Sequence, residues 1–213
     1  MTLALLVDFD GTILDTESCV LAAWREEYEY HGLQLDEEAW LAALGSHQDR
    51  FAVFSELVGA DYDEAASRAR KQRRQDELVA ALVLRDGIDD CLRKARQTGL
   101  RLGVVSSSSS SWVRSHLERL SLLPLVDVVV TREDAERSKP FPDLYLTALT
   151  RLGVPADEAV AIEDSANGIA AAKAAGIRCI AYPNSVTARQ DLGHADVLAE
   201  NRLWEHVLTL MDS

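Results

Sequence analysis

The chain has 213 residues, 47% of them hydrophobic and 27% charged, a balance that excludes a disordered polymer. Its formal net charge of −13 opposes nucleic acid, whose phosphates call for Lys and Arg. No apolar run reaches the ~20 residues that span a bilayer, and the amino terminus carries no signal-peptide pattern. Cys19, Cys91 and Cys179 are too scattered for a disulfide or zinc framework, so a reduced, cytoplasmic protein is expected.

The first segment, LALLVDFDGTILDTE at 3–17, opens as a buried strand. It delivers Asp8 and Asp10 to the strand's carboxyl end, followed by Gly11 and Thr12. In an open α/β sheet that end is where ligands bind. Two carboxylates two residues apart there suit a nucleophile beside a general acid/base around a divalent cation. The same DFDG string also makes a good turn.

From residue 16 to 84 the pattern is helical throughout. ESCVLAAWREEYEY, DEEAWLAAL, QDRFAVFSELV and DEAASRARKQRRQDELVAAL repeat apolar residues at three- and four-residue spacing. Gly32, Gly45 and Gly59 fall between them as helix terminators. Arg68, Arg70, Lys71, Arg73 and Arg74, interleaved with acids, read as a solvated face of the last helix.

Beyond Gly87 the short runs LRLGVV, VDVVV, AVAIED, IRCIAY and ADVLAE alternate with helical segments. That alternation predicts a parallel sheet flanked by helices. The fold class is therefore α/β, a Rossmann-like parallel sheet core flanked by helices with an inserted all-helical domain. The core takes residues 1–15 and 85–213, and the insert takes 16–84. Ser106 ends the GVV strand, where its hydroxyl and the amides of Ser107 and Ser108 suit an anion nest. Ser109 to Ser111 and Asp143 read as helix-start residues. Glu163 and Asp164 close AVAIED as a second acid pair at a strand end. His31, His116, His194 and His206 show no ligand spacing.

Four segments in order, DFDGT, GVVSSS, SKPFPDLY and AVAIEDSANGI, resemble the four motifs of the haloacid dehalogenase-like superfamily. The KPFPDLY and EDSANGI strings narrow the resemblance to the subgroup of β-phosphoglucomutase and sugar-phosphate phosphatases. The resemblance implies that Asp8 attacks phosphorus to form an aspartyl-phosphate. Asp10 then acts as acid toward the leaving group and as base toward water. It makes Ser106 and Lys139 catalytic, with Lys139 neutralising phosphate and Asp8. Its cofactor would be Mg²⁺, held by Asp8, the Asp10 backbone carbonyl and Asp164, with Glu163 adding a direct or indirect contact. Thr12, Ser107, Ser108, Gly45 and Arg50 are the expected substrate-binding residues. Gly45 and Arg50 flank His47 and Gln48 in GSHQDR, where the subgroup places a specificity loop. The insert becomes a cap domain that excludes water.

The implied activity is a Mg²⁺-dependent phosphatase acting on a small phosphorylated metabolite, with sugar phosphates among the candidates. A monomer or weak homodimer with no nucleic-acid or membrane partner is expected. One alternative is a β-phosphoglucomutase-like phosphomutase, disfavoured because Cys19 and Val20 stand where the mutase carries a histidine. Another is a non-catalytic phospho-ligand sensor, which would not require a nucleophile. Asp10 also argues against dehalogenase and phosphonatase chemistry, whose enzymes lack an acid at this place.

Overall fold

The computed structural model describes residues 3–42, 49–60 and 62–211. Among these residues six strands form one sheet: β1 (Ala4–Val7), β2 (Arg101–Val105), β3 (Val128–Val130), β4 (Ala159–Glu163), β5 (Arg178–Ala181) and β6 (Val197–Leu198). Every pairing is parallel and the order is β3-β2-β1-β4-β5-β6. The five runs named from sequence, and the opening strand, all fall on these elements. β1 lies between β2 and β4, and Val7 pairs with both Val104 and Ile162. A strand covered on both faces has no solvent side to fill with polar residues, hence ALLV. The strand order reverses beside β1, so a ligand crevice belongs at its carboxyl end.

The chain divides into two compact units, Met1–Asp15 with Val83–Ser213, and Thr16–Leu82. The return to the sheet-bearing unit thus comes at Val83, two residues before the boundary read from the pattern. The smaller unit holds α1 (Thr16–Tyr30), α2 (Glu37–Ala42), α3 (Arg50–Val58) and α4 (Glu64–Ala80). Asp49 and Asp63 cap α3 and α4 by accepting from backbone amides of their first turns. Its core is aromatic: Phe54 is fully buried and meets Tyr28 at 4.5 Å and Tyr62 at 5.6 Å between ring centroids.

Helices α1 and α4 pack on each other. Arg70 joins them by donating to both oxygens of the buried Glu27, at 2.6 and 3.0 Å. Its guanidinium also stacks over the Tyr30 ring at 3.7 Å. The solvated-face reading therefore fits Arg68 and Arg73, which are exposed, and fails for Arg70 and Lys71, which are half-buried. Burial, then the neighbouring Arg50, pulls the Lys71 ammonium down to about 8.

The larger unit adds α5 (Ile88–Gln97), α6 (Ser110–Arg119), α7 (Asp143–Leu152), α8 (Ala166–Ala174) and α9 (Leu203–Met211). Ala4, Leu6, Val105 and Ala161 pack with Leu144, Ala148, Ile169 and Ala172 of α7 and α8 in one buried layer. α5 and α9 pack on one another and against β2 and β4 respectively. All three cysteines are buried and none forms a disulfide. Among the described residues no helix is long and apolar enough to cross a membrane.

Gly103 of β2 pairs with Leu6 of β1 and leaves room for it. A Cβ there would lie 2.6 Å from Leu6 Cδ2 and 3.1 Å from Val128 Cγ2. Gly103→Ala should therefore destabilise the protein by about 1–3 kcal/mol through overpacking. Adding Leu6→Val should restore part of the loss in a thermal-melting double-mutant cycle.

Candidate active site

The carboxyl ends of four neighbouring strands converge on one group of side chains. β1 supplies Asp8 and, after Phe9, Asp10; β2 leads into Ser106; β4 ends on Glu163 and Asp164; the segment after β5 brings Asn184. Asp8 and Glu163 are buried, at 5% and 0% exposure, and Asp164 at 2%. One oxygen from each of these three acids lies within 4.8 Å of the others.

Lys139, whose side chain is only 7% exposed, binds this group together. Its ammonium donates to Asp8 Oδ1 at 2.5 Å, to Glu163 Oε1 at 2.6 Å and to the Val105 carbonyl at 2.8 Å. Tyr145 of α7 donates its hydroxyl to the same Glu163 oxygen at 2.6 Å. Burial, then the Glu163 charge, pushes the Tyr145 phenol well above its ordinary range, so it remains a donor. Burial opposes the charge on Lys139, but the Asp8 and Glu163 carboxylates outweigh it and hold the ammonium above its usual range. Burial and the Glu163 charge push the Asp8 carboxyl up to about 8, against the pull of Lys139.

Three buried acids thus cluster about one ammonium, which touches Asp8 and Glu163 directly, and the carboxyl groups outnumber it. Asp8 Oδ2 and Glu163 Oε2 are buried and accept no hydrogen bond from the described residues. Buried polar atoms without partners are costly. An all-oxygen, negatively charged donor set of this kind fits a hard divalent cation.

The backbone around the acids is shaped for close approach. Gly11 has φ of +86°, and a Cβ on it would lie 2.0 Å from Asp164 Oδ2. That oxygen accepts from Asn184 Nδ2 at 2.9 Å, and the same amide nitrogen donates to the Gly11 carbonyl at 3.2 Å. Arg85 donates to the carbonyls of Gly11, Tyr182 and Pro183 at 2.6, 2.8 and 2.7 Å. The loop after β1 is thereby tied to the segment after β5.

Asp10 is less buried and faces a different set of groups. Its Oδ2 accepts from the Ser108 hydroxyl at 2.6 Å and the Ser106 hydroxyl at 3.3 Å. Its Oδ1 accepts from the Trp112 indole N–H at 3.0 Å.

A family profile described as "Haloacid dehalogenase-like hydrolase" matches residues 5–182, most of the chain. The chain belongs to the haloacid dehalogenase-like hydrolase family. Among its relatives is the fructose-1-phosphate phosphatase YqaB of Escherichia coli (strain K12), 35% identical over 83% of this chain and 94% of that protein. Another is the validoxylamine A 7'-phosphate phosphatase of Streptomyces hygroscopicus subsp. limoneus, 32% identical over 95% of this chain and 96% of that protein. The crystal structure of CbbY from Rhodobacter sphaeroides in complex with phosphate superposes with a TM-score of 0.78 at 32% identity, covering 100% of both chains. The same protein has been solved with xylulose-(1,5)bisphosphate. The chain is a phosphatase of the haloacid dehalogenase-like family.

Of the residues named from sequence, Asp8, Asp10, Ser106, Ser108, Lys139, Glu163 and Asp164 come together, and Thr12 is fully buried beside them in sequence. The Thr12 hydroxyl has no hydrogen-bond partner among the described residues. Ser107 is exposed. The Ser108 amide donates to the Ser106 hydroxyl at 3.0 Å rather than pointing outward. Ser109 caps α6, and Asp143 starts α7 while pairing with Arg137, as their helix-start reading expects. Arg50 stacks over the Trp40 ring at 4.0 Å within the helical unit. Gly45, His47 and Gln48 lie outside the described residues. Sequence reasoning missed Arg85, Trp112, Tyr145 and Asn184. Tyr145 ends the SKPFPDLY string and Trp112 directly follows the serine run, but nothing local marks either as a partner of an acid.

Gly168 of α8 gives the sharpest test of this packing. By helix propensity Gly168→Ala should stabilise by about 1 kcal/mol. A Cβ there would lie 1.8 Å from Oε2 of Glu163, whose other oxygen is held by Lys139 and Tyr145. The variant is expected to melt below the wild type and to bind a divalent cation more weakly, both readable by thermal shift with and without the cation.

Proposed function

We propose that the protein is a Mg²⁺-dependent phosphatase that hydrolyses a small phosphorylated metabolite, a sugar phosphate in class, through an aspartyl-phosphate on Asp8. One observation carries this reading. Asp8 stands at the carboxyl end of the central strand with one oxygen on Lys139 and the other without a partner. A carboxyl group held through one oxygen by a buried ammonium, with its other oxygen at the mouth of the sheet, is placed to attack an electrophile.

The chemistry follows from the charges. Repulsion between an anionic nucleophile and an anionic phosphate is the main obstacle, so positioning and charge neutralisation do most of the work. Lys139 offsets charge on Asp8 and, across it, on the incoming phosphate. Ser106 and Ser108 present hydroxyls to phosphate oxygens. Asp8 attacks phosphorus as Asp10 protonates the departing oxygen, and Asp10 then deprotonates the water that releases inorganic phosphate. Asp8, Asp164, Glu163 and the Asp10 backbone carbonyl would hold Mg²⁺, which when bound screens the phosphate charge and aligns it. Asn184 steadies Asp164 by donating to its Oδ2 at 2.9 Å.

The relatives named for fructose 1-phosphate and solved with xylulose-(1,5)bisphosphate support a sugar phosphate. Arg50, the expected substrate-binding residue among the described part of the helical unit, stacks over the Trp40 ring at 4.0 Å.

Phosphate release should be measured over a panel of phosphorylated sugars and polyols, with Mg²⁺ and with chelator. Release concentrated on a few related compounds, abolished by chelator and lowered at least ~10³-fold by Asp8→Asn, is expected, given what a covalent nucleophile supplies. No release from any compound by folded protein would refute the reading. A second outcome follows from Asp8. In the metal-free protein its carboxyl keeps a proton until about pH 8, and a cation needs the carboxylate. Cation binding therefore tightens as pH rises, and the melting-temperature gain from Mg²⁺ should be larger at about pH 8.5 than at about pH 6.5.

A further inference from the structure

Asp10 is held by donors of two kinds. The Ser106 and Ser108 hydroxyls reach Oδ2, at 3.3 and 2.6 Å, and each carries a single proton on a freely rotating bond. A hydroxyl that turns this proton toward a phosphate oxygen lets go of Asp10. The third donor cannot do so. The Trp112 indole N–H, 3.0 Å from Oδ1, is a donor only and points where its ring points.

That ring is fixed from two sides. Trp112 sits in the first turn of α6, where its own amide donates to the capping Ser109 hydroxyl at 3.4 Å. One turn on, His116 packs edge to face against it with ring centroids 4.4 Å apart, and His116 in turn stacks on Phe9 at 6.1 Å. Phe9 is fully buried and stands between Asp8 and Asp10. The helix that aims the indole is thus braced against the segment that carries its acceptor.

We propose that Trp112 is a positioning residue for Asp10: its N–H keeps Oδ1 occupied, so that Oδ2 is the oxygen that gives and takes the proton once the serine hydroxyls turn to phosphate. The inference rests on the phosphatase reading above. In the first step Asp8 bonds to phosphorus, the bond from phosphorus to the ester oxygen breaks with its electron pair left on that oxygen, and the proton on Oδ2 passes to it. In the second, Oδ2 takes a proton from water as the water oxygen bonds to phosphorus, and the bond from phosphorus to Asp8 breaks with its pair returned to the carboxylate. Substrate phosphate thereby frees the working oxygen, while the indole keeps the carboxyl in place.

The test separates this role from simple packing. Trp112→Phe keeps a ring and removes the N–H; Trp112→Gln keeps an N–H donor and removes the ring. The probes are fructose 1-phosphate, whose leaving oxygen needs a proton, and p-nitrophenyl phosphate, whose leaving group departs as a stable anion. kcat/KM reports the phosphorylation step, so the later attack of water does not confuse the comparison. Trp112→Phe should lower kcat/KM on fructose 1-phosphate at least tenfold, through kcat with KM within about twofold, and change it less than about threefold on p-nitrophenyl phosphate. Trp112→Gln should recover part of the loss on fructose 1-phosphate. Equal losses on both probes, no loss on fructose 1-phosphate, or losses that follow the melting temperatures of the two variants would overturn the proposal. Where the panel above shows release from another sugar phosphate instead of fructose 1-phosphate, that compound takes its place in the same comparison; wild-type protein that releases phosphate from no compound of the panel would overturn the phosphatase reading, and this inference with it.

Discussion

The arrangement depends on one ammonium lodged between two carboxylates. Lys139 donates to Asp8 and Glu163 at 2.5 and 2.6 Å with its side chain almost wholly out of solvent. Taking such charges out of water costs several kcal/mol per ion, and a hydrophobic replacement of similar volume is often at least as stable. A cluster of this kind is therefore poor as a device for stability alone. What it provides is a carboxylate of fixed position in a medium of low dielectric, where each remaining charge acts strongly on whatever enters.

Around that pair the molecule uses rigid elements for the parts that must stay and adjustable ones for the parts that must change partner. Asp8, Glu163 and Asp164 sit at the ends of paired central strands, and Asn184 and Arg85 lock the intervening loops by hydrogen bonds to backbone carbonyls. Tyr145 reaches Glu163 from a helix buried against the sheet. Asp10, one residue beyond Phe9, is instead held largely by hydroxyls. The division matches the roles proposed for the two aspartates, since a nucleophile and cation ligand gains from immobility and an acid/base needs a partner it can exchange.

Much of this was legible in the residues. The strands were readable because both faces of a central parallel strand demand Val, Ile, Leu and Ala, so LALLV, LRLGVV and AVAIE announce themselves. The insert was readable because its helices alternate apolar and charged positions, with Gly59 closing α3. Short strings in a familiar order place Asp8, Asp10, Ser106, Glu163 and Asp164 at strand ends and Lys139 shortly before a helix, and the structure brings these six together. The partners that position them were not legible. Trp112 meets Asp10 across 102 residues, and Arg85 meets Tyr182 and Pro183 across 97 and 98. No periodicity connects residues so far apart; only the closed sheet does. Arg70 and Lys71 were misread for a related reason, because an acid at three- or four-residue spacing in sequence says nothing about Glu27 waiting on the helix alongside.

The central place of β1 also governs how the molecule comes to exist. Its first residue, Ala4, pairs with Arg101 on one side and Ala159 on the other, so one edge of the strand waits for nearly half of the chain and the other for about three quarters of it. The helices from Thr16 to Tyr30 and from Glu64 to Ala80 have their packing partners within one another's reach much sooner. Local contacts form early and distant strand pairings late. The helical unit is thus able to fold on the ribosome while the strand that carries Asp8 waits, and the acids gather into one charged cluster only when the sheet closes around them.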